Sequence, residues 1–409
     1  MTGRDATPSP TSSGISLLTS RSTPHLTGWS HTVFGKHPEA DLESLVAQAA
    51  DEALSHAQLD AGELDAIYVG VFNAGMSAQA FEAALPGVGR PELARTPATR
   101  VENACATGSA ALYAGLDVIQ AGRARNVLVV GAEHMTAADP QTVNDSLLAA
   151  SYRREEAAAG SFAGIFGQIA HTYFARYGDH SATLAEIAAK NHRNGVANPV
   201  AHMRKDLGVG FCNKVSDRNP LVAGPLRRTD CSMVSDGAAA VVLQSAEVAG
   251  GAPRAVRWRG RSHANDLLPL GRRRDVLELA GARAAFQGAM AEAGATLDDL
   301  SLLETHDCFT IAELLEYEAF GLAGPGKGAG ALESGMVAPG GALPVNMSGG
   351  LKAKGHPIGA TGVSQHVLAA VQLTGEAGDM QVPGAELAGV FNMGGAAVAN
   401  YFSVLERVR

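Results

Sequence analysis

The sequence predicts an α/β protein made of two similar halves, and three observations predict it. The first is composition. With 409 residues, 46% apolar but only 5% aromatic, and 48 glycines, the chain suits close packing of helices on sheets around one large or two medium cores. The second is an internal repeat. "ALSHAQLDAGELDAIYVG" from Ala53 and "AMAEAGATLDDLSLLETH" from Ala289 align without gaps at an offset of 236 residues, each reading as a helix end, an acidic turn and a strand. The third is an echo of "SDGAAAVVLQSAE" (from Ser235) in "MGGAAVANYFSVLE" (from Met393), each a Gly-entered strand closing its half. A period this long excludes a solenoid and implies a duplicated domain.

The elements follow in order. Residues 1–23, with "TPSPTSSG" inside, offer no periodic apolar face and read as a disordered N-terminal segment. The first half then runs over 24–250 and the second over 251–409, joined at "VAGGAPRAVRWRG" near Gly250. In "DLESLVAQAADEALSHAQL" the residues Leu42, Leu45, Val46, Ala49, Ala50, Ala53 and Leu54 recur at helical steps, and "LDAIYVGVF" follows as a buried strand. "RVENACATGSAALYAGLDVIQAG" is a strand-to-helix turn carrying Cys105, with small residues that permit close helix packing. "ETHDCFTIAE" places His306, Asp307 and Cys308 where an apolar run gives way to a helical pattern. "NMSGGLKAKGHPIGATGVSQHVLAAVQL" is a glycine-dense loop running into a helix, with His356 between Gly355 and Pro357.

Charge and patterning exclude several classes. A formal charge of -9 argues against nucleic acid as partner, because phosphate binding needs a basic face. No apolar run reaches the ~18 residues that span a bilayer, and the Ser/Thr/Pro-rich start lacks the apolar core of a signal peptide. A cytoplasmic location without membrane insertion is therefore expected. Cys105, Cys212, Cys231 and Cys308 show none of the paired spacings of a disulfide framework or zinc knuckle, so reduced thiols are the simplest reading.

Cys105 at a helix N-terminus is placed for a lowered thiol pKa, since the helix dipole and unpaired N–H groups favour a thiolate nucleophile. The competing reading is a small buried cysteine in a tight turn. For Cys308 three readings stand: half of a metal site with His306, a structural thiol, or an acid/base group facing a second cysteine. The metal reading needs two further ligands, and neither Cys212 nor Cys231 forms a recognisable pair with it, so no metal is expected. The lysine of the glycine-rich loop is outside Walker spacing, and GHPIGATG does not fit a dinucleotide fingerprint.

"ENACATGSAAL", "HDCFTIAELLEYEAFGL", "NMSGGLKAKGHPIGATG" and "FNMGGAAVANYF", in this order, resemble the thiolase superfamily, specifically the sterol-carrier-protein-2 type and bacterial acetyl-CoA acetyltransferases. The resemblance runs from about Thr32 onward. It implies a duplicated thiolase fold, stacked as five layers α-β-α-β-α, with a loop domain inserted at about 133–231. It implies that Cys105 is the acylated nucleophile, that His356 of the GHP motif activates it, and that Cys308 and His306 of the HDCF motif act as acid/base and as part of an oxyanion site. Most thiolases carry that second cysteine in a terminal Cys-x-Gly motif, where this chain has Asn392-Met393-Gly394. The N–H groups of Gly394 and Cys105 are expected to form a second oxyanion hole.

The implied activity is acyl transfer between Cys105 and coenzyme A, with Claisen formation or cleavage of 3-oxoacyl-CoA. Coenzyme A and acyl-CoA act as substrates and no permanent cofactor is implied. Ser232, Arg204, Arg227 and Arg228 are the expected coenzyme contacts, and a homodimer or homotetramer is the expected assembly. "KNHRNGVANP" from Lys190 recurs in such thiolases without an assigned role. The alternatives are a C-acyltransferase or retro-aldolase working with a zinc and OB-fold partner, and a scaffold that binds acyl-CoA without turnover.

Overall fold

The computed structural model describes residues 23–408, so the disorder expected for 1–23 concerns residues outside those described, apart from Thr23. The described residues form eleven strands: β1 (His25–His31), β2 (Ala66–Gly70), β3 (Ala98–Val101), β4 (Asn126–His134), β5 (Leu221–Ala223), β6 (Leu226–Arg227), β7 (Asp236–Gln244), β8 (Val256–Asn265), β9 (Leu302–Glu304), β10 (Leu387–Gly394) and β11 (Ala399–Arg407). Nine of them run in the order β3-β2-β4-β7-β1-β8-β11-β10-β9, and β5-β6 is a separate hairpin.

That order is a near palindrome of the two halves. In the first, β3-β2-β4-β7-β1 approaches the centre. In the second, β8-β11-β10-β9 leaves it. The counterpart of β3 is reduced to one parallel bridge between Leu303 and Val345. Within the sheet, among the described residues, the halves are bridged where His25 and Leu26 face Arg257 and Val256. The 236-residue repeat reappears as geometry: the 3₁₀ turn Ala61–Glu63 and β2 beginning at Ala66 match the turn Leu297–Asp299 and β9 beginning at Leu302.

Alternation along each strand fixes the layers. Leu128, Val130 and Ala132 of β4 join the core beneath helix Leu42–Ala57 on one face. Val127 and Val129 face the opposite core, shared with helices Thr107–Gln120 and Ile358–Leu373 and with β8, β10 and β11. Helix Ala280–Ala293 covers the outer face of β8 and β11. The result is helix, half-sheet, two central helices, half-sheet, helix. The central helices approach closely because Gly108 and Gly362 leave room: a Cβ on Gly108 would lie 2.7 Å from the Val363 nitrogen. Helix Leu42–Ala57 opens with a capping box in which the Asp41 carboxylate and Ser44 satisfy each other's backbone N–H groups.

Two boundaries differ from expectation. The resemblance was drawn from Thr32, yet β1 begins at His25 and lies inside the sheet, between β7 and β8. Its polar residues hide the strand in the sequence: Thr27 and Ser30 are buried, with the Ser30 hydroxyl donating to the Ala49 carbonyl at 2.6 Å, and Gly28 admits Ala57 of the overlying helix. The inserted segment spans the whole stretch between β4 and β7, so it continues past Cys231 to Ser235. No described helix is long and apolar enough to cross a membrane.

Candidate active site

Four chain turns meet at one end of the central helices. Cys105 lies in the turn between β3 and helix Thr107–Gln120, after Ala104 at φ +49°, a left-handed conformation that costs a non-glycine residue roughly 1–2 kcal/mol. His306 and Cys308 follow β9 and precede helix Thr310–Ala319. His356 sits between the short helix Gly350–Lys354 and helix Ile358–Leu373. Asn392 and Gly394 end β10. A Cβ on Gly394 would fall 2.5 Å from the Asn103 carbonyl, so only glycine lets β10 back onto the cysteine turn.

One ligand atom each from Cys105, His306 and His356 lies within 4.8 Å of the others. Hydrogen bonds assign the two imidazoles opposite tautomers. The Asn392 side-chain amide donates to the Cys105 carbonyl at 3.0 Å, which identifies that end as the NH₂. Its second proton therefore goes to His306 Nδ1 at 2.9 Å. The His306 proton is then on Nε2, a buried nitrogen without a partner. The Thr361 hydroxyl gives its only proton to the Pro357 carbonyl at 2.9 Å and so accepts from His356 Nδ1 at 2.6 Å. That leaves the lone pair of His356 on Nε2. One histidine can donate a proton into the site and the other can accept one.

Two carboxylates clamp the turns together. Buried Glu133 accepts backbone N–H groups from Phe72 (3.0 Å), Asn73 (2.9 Å) and Gly359 (2.9 Å), tying β4 to the helix that follows His356. Asp307 accepts from the Leu351 and Lys352 N–H groups at 2.6 and 3.2 Å and from the Asn191 amide at 2.6 Å, tying the HDCF turn to the segment ahead of His356. Burial, followed by the neighbouring Glu313, raises the Asp307 carboxyl to about 7. The unassigned "KNHRNGVANP" motif is the platform beneath these turns: Lys190, Asn194 and Asn198 donate to the carbonyls of Val345, Asn346 and Ser348.

The thiol electrostatics correct the sequence reading. Cys105 sits beside a helix start as expected, but burial pushes its pKa up to about 12 instead of lowering it. An N–H from Gly395, and its own, oppose that shift, whereas Glu133 and Glu102 add to it. Desolvation outweighs the helix dipole because the thiol is 5% exposed. Burial, with help from Lys354, depresses His356 to about 3. The pair is therefore a neutral thiol beside a neutral imidazole, an arrangement in which a thiolate forms only by proton transfer. Cys308 is held well above the usual thiol range by burial, then by Cys105, Glu316 and Asp307, which makes it a proton donor at rest. In consequence, alkylation of Cys105 by iodoacetamide, followed on its peptide, is expected to accelerate about tenfold per pH unit from pH 7 to 10. A plateau below pH 8 would show a preformed thiolate.

The expected coenzyme contacts divide. Ser232 and Arg228 line a cavity of about 740 Å³, together with Lys36, Lys205, Arg218, His202 and Lys352. Its walls are continuous with the turns that carry Cys308 and His356: the Ser232 N–H donates to the Cys308 carbonyl at 2.9 Å, and the His202 and Met203 N–H groups donate to the carbonyls of Lys354 and Ala353. Arg227 does not line it. Its guanidinium is 2% exposed and committed to Asp230 (2.8 Å), Asn213 (2.8 Å) and the Ser181 carbonyl (2.6 Å). Arg204 is exposed with its Nε on the Val196 carbonyl, and Lys205 takes the cavity position instead. The Gly395 N–H reaches the Cys105 sulfur, and Gly394, the expected oxyanion-hole residue, directly precedes it. Cys212 is a packing thiol against Ala185, Ala188 and Ala189, whereas Cys231 lines the cavity.

Comparison with known proteins places this arrangement. Residues 27–247 match the family model for the thiolase N-terminal domain, and residues 262–407 match the thiolase C-terminal domain-like model. The chain is 36% identical over 370 residues to an acetyl-CoA acetyltransferase of Methanothermobacter thermautotrophicus, covering 90% of this chain and 95% of that one. It is 32% identical to human sterol carrier protein 2, over 90% of this chain and 69% of that protein. Among solved structures, the Ltp2-ChsH2(DUF35) aldolase superposes with a TM-score of 0.80 at 18% identity, covering 95% of this chain and 98% of that one. Human mitochondrial 3-ketoacyl-CoA thiolase in complex with CoA superposes with a TM-score of 0.72 at 17% identity, covering 95% and 99%.

Proposed function

The chain belongs to the thiolase family, and from that premise we propose that it is an acetyl-CoA acetyltransferase or 3-ketoacyl-CoA thiolase of the sterol-carrier-protein-2 type. The observation that carries this reading is the convergence of Cys105 with two histidines in opposite tautomers beside a second thiol, Cys308.

In the cleavage direction, His356 Nε2 takes the Cys105 proton as the sulfur attacks the 3-keto carbon of a 3-oxoacyl-CoA. The C2–C3 bond then breaks. The shortened acyl group stays on Cys105 as a thioester, and the electron pair leaves as the enolate of acetyl-CoA. His306 Nε2–H donates to the enolate oxygen, and the Cys308 thiol gives its proton to the carbon. The imidazolium of His356 returns a proton to the Cys308 thiolate. Coenzyme A then gives its thiol proton to His356 Nε2 as its sulfur attacks the thioester; the adduct expels the Cys105 thiolate, which takes that proton back from the imidazolium, and the acyl group leaves on coenzyme A, a ping-pong sequence. The backbone N–H groups of Cys105 and of the Gly394-Gly395 turn are suited to the oxyanion of the acyl-enzyme step. Asn392, in the place where most thiolases put their second cysteine, keeps His306 in its donor tautomer.

Lys36, Lys205, Arg218 and Arg228 at the basic cavity suit the phosphates of coenzyme A, with Ser232 along its inner wall. The exposed edge strand β3 supports assembly into a homodimer by strand pairing. The superposition on the Ltp2-ChsH2(DUF35) aldolase favours a second reading, a C–C bond lyase or acyltransferase that needs a partner subunit. One assay separates them. The protein alone, given coenzyme A and acetoacetyl-CoA or a longer 3-oxoacyl-CoA, is expected to release acetyl-CoA. Activity that appears only after a zinc and OB-fold partner is added would transfer support to the second reading.

A further inference from the structure

The turn that presents His356 rests on two residues from the inserted segment. Gly355 enters the turn at φ +109°, and a Cβ there would lie 2.7 Å from the Ser235 hydroxyl and 3.3 Å from the His202 Cβ. The backbone N–H groups of His202 and Met203 hold the carbonyls of Lys354 and Ala353 at 2.9 and 3.0 Å. Side chains complete the contact. Ser235, fully buried just ahead of β7, gives its only proton to the Met233 carbonyl at 3.2 Å. Its oxygen therefore accepts twice, from His202 Nδ1 at 2.8 Å and from the His356 backbone N–H at 3.4 Å.

These bonds put the His202 proton on Nδ1. Burial, followed by Lys36, holds the ring below the usual histidine range, so it is neutral near pH 7 and that N–H is its one donor. The ring is half-buried and lines the basic cavity, whereas Ser235 and His356 do not line it. A chain of contacts thus runs from the cavity wall through Ser235 to the group that takes the Cys105 proton. The bond from His356 Nδ1 to Thr361 sets the rotation of that ring. It does not set the position of the backbone that carries the ring. We propose that His202 is a positioning residue for the reaction: its Nδ1–H holds the Ser235 hydroxyl, which seats the His356 backbone so that Nε2 reaches the Cys105 thiol. The inference rests on the thiolase reading of His356 as the base.

A direct contact to coenzyme A is the competing role for a residue in the cavity wall, and the two ring nitrogens let variants separate the roles. An asparagine amide reaches the place of Nδ1, and a glutamine amide reaches the place of Nε2. All the variants keep the backbone bonds to Lys354 and Ala353. His202→Gln and His202→Ala are expected to lower kcat for thiolysis of acetoacetyl-CoA about tenfold or more, with KM for coenzyme A changed less than about threefold, because a small displacement of a catalytic group costs up to about a hundredfold. His202→Asn should bring kcat back to within about threefold of wild type. Ser235→Ala should match His202→Gln, and the double variant should lose no more than either, since both break one link. A raised KM for coenzyme A with unchanged kcat would make His202 a coenzyme contact and overturn the proposal, as would equal kcat losses in His202→Asn and His202→Gln. If a His202 variant does not fold, Ser235→Ala decides: a lower kcat at unchanged KM sustains the proposal and an unchanged kcat overturns it. If the wild-type protein does not turn over acetoacetyl-CoA with coenzyme A, the thiolase reading fails, and hydrogen–deuterium exchange at the His356 amide still tests the seating. Faster exchange in His202→Gln than in His202→Asn sustains it, and equal exchange overturns it.

Discussion

Cys105→Ser is expected to lower thiolysis and condensation by about four orders of magnitude or more, as removal of a nucleophile from a unit that acts together does. The substitution changes one atom in a turn whose backbone is set by Ala104, Asn103 and the Asn392 amide, so the fold and the coenzyme cavity should persist. A serine hydroxyl in this site faces the same desolvation that already pushes the thiol to about 12, and it starts from a far weaker acidity. His356, depressed to about 3, cannot make up the difference. Binding of coenzyme A by calorimetry should be nearly unchanged. A Cys105→Ser protein that keeps a tenth of wild-type activity would remove Cys105 from the chemistry.

Cys308→Ala should separate the two halves of the reaction. Acylation of Cys105 by acyl-CoA involves no carbon acid and is expected to survive. Condensation and thiolysis are expected to fall about a hundredfold or more, the usual range for a positioned acid or base, and exchange of the methyl protons of acetyl-CoA with solvent should fall with them. The buried, protonated state of the Cys308 thiol suits delivery of a proton to the enolate carbon. Normal exchange in Cys308→Ala would make Cys308 a packing residue of the core that also contains Phe309 and Ile311.

The candidate reactive residues were legible in the sequence because each is chemically unusual where it stands. Cys105 and Cys308 interrupt small-residue or apolar runs at strand-to-helix turns, His356 does so in the glycine-rich turn between two helices, and the repeat explains why the first two turns meet. Residues that position them carried weaker signals. Asn392 was visible only as a cysteine missing from its usual place, and nothing local tells that its amide sets the His306 tautomer across the two halves. Glu133, a lone carboxylate ending the apolar run of β4, could have been found as a buried charge, but its three backbone donors come from Phe72, Asn73 and Gly359.

Counting cations misled where pairing decides. Arg227 is cancelled by Asp230 three residues on, while its neighbour Arg228 lines the cavity. The helix-start argument for Cys105 failed for a related reason: it weighed the dipole without the burial that closing two half-sheets over the central helices imposes.

The central claim is that Cys105 carries the acyl group, and covalent labelling tests it most directly. Wild-type protein incubated with radiolabelled or isotopically heavy acetyl-CoA, quenched in acid and digested, should show one acetyl group as a thioester on the peptide containing Cys105, released by added coenzyme A. Label confined to the Cys212, Cys231 or Cys308 peptide, or no acyl-enzyme at all under conditions where acetyl-CoA is turned over, would contradict the account.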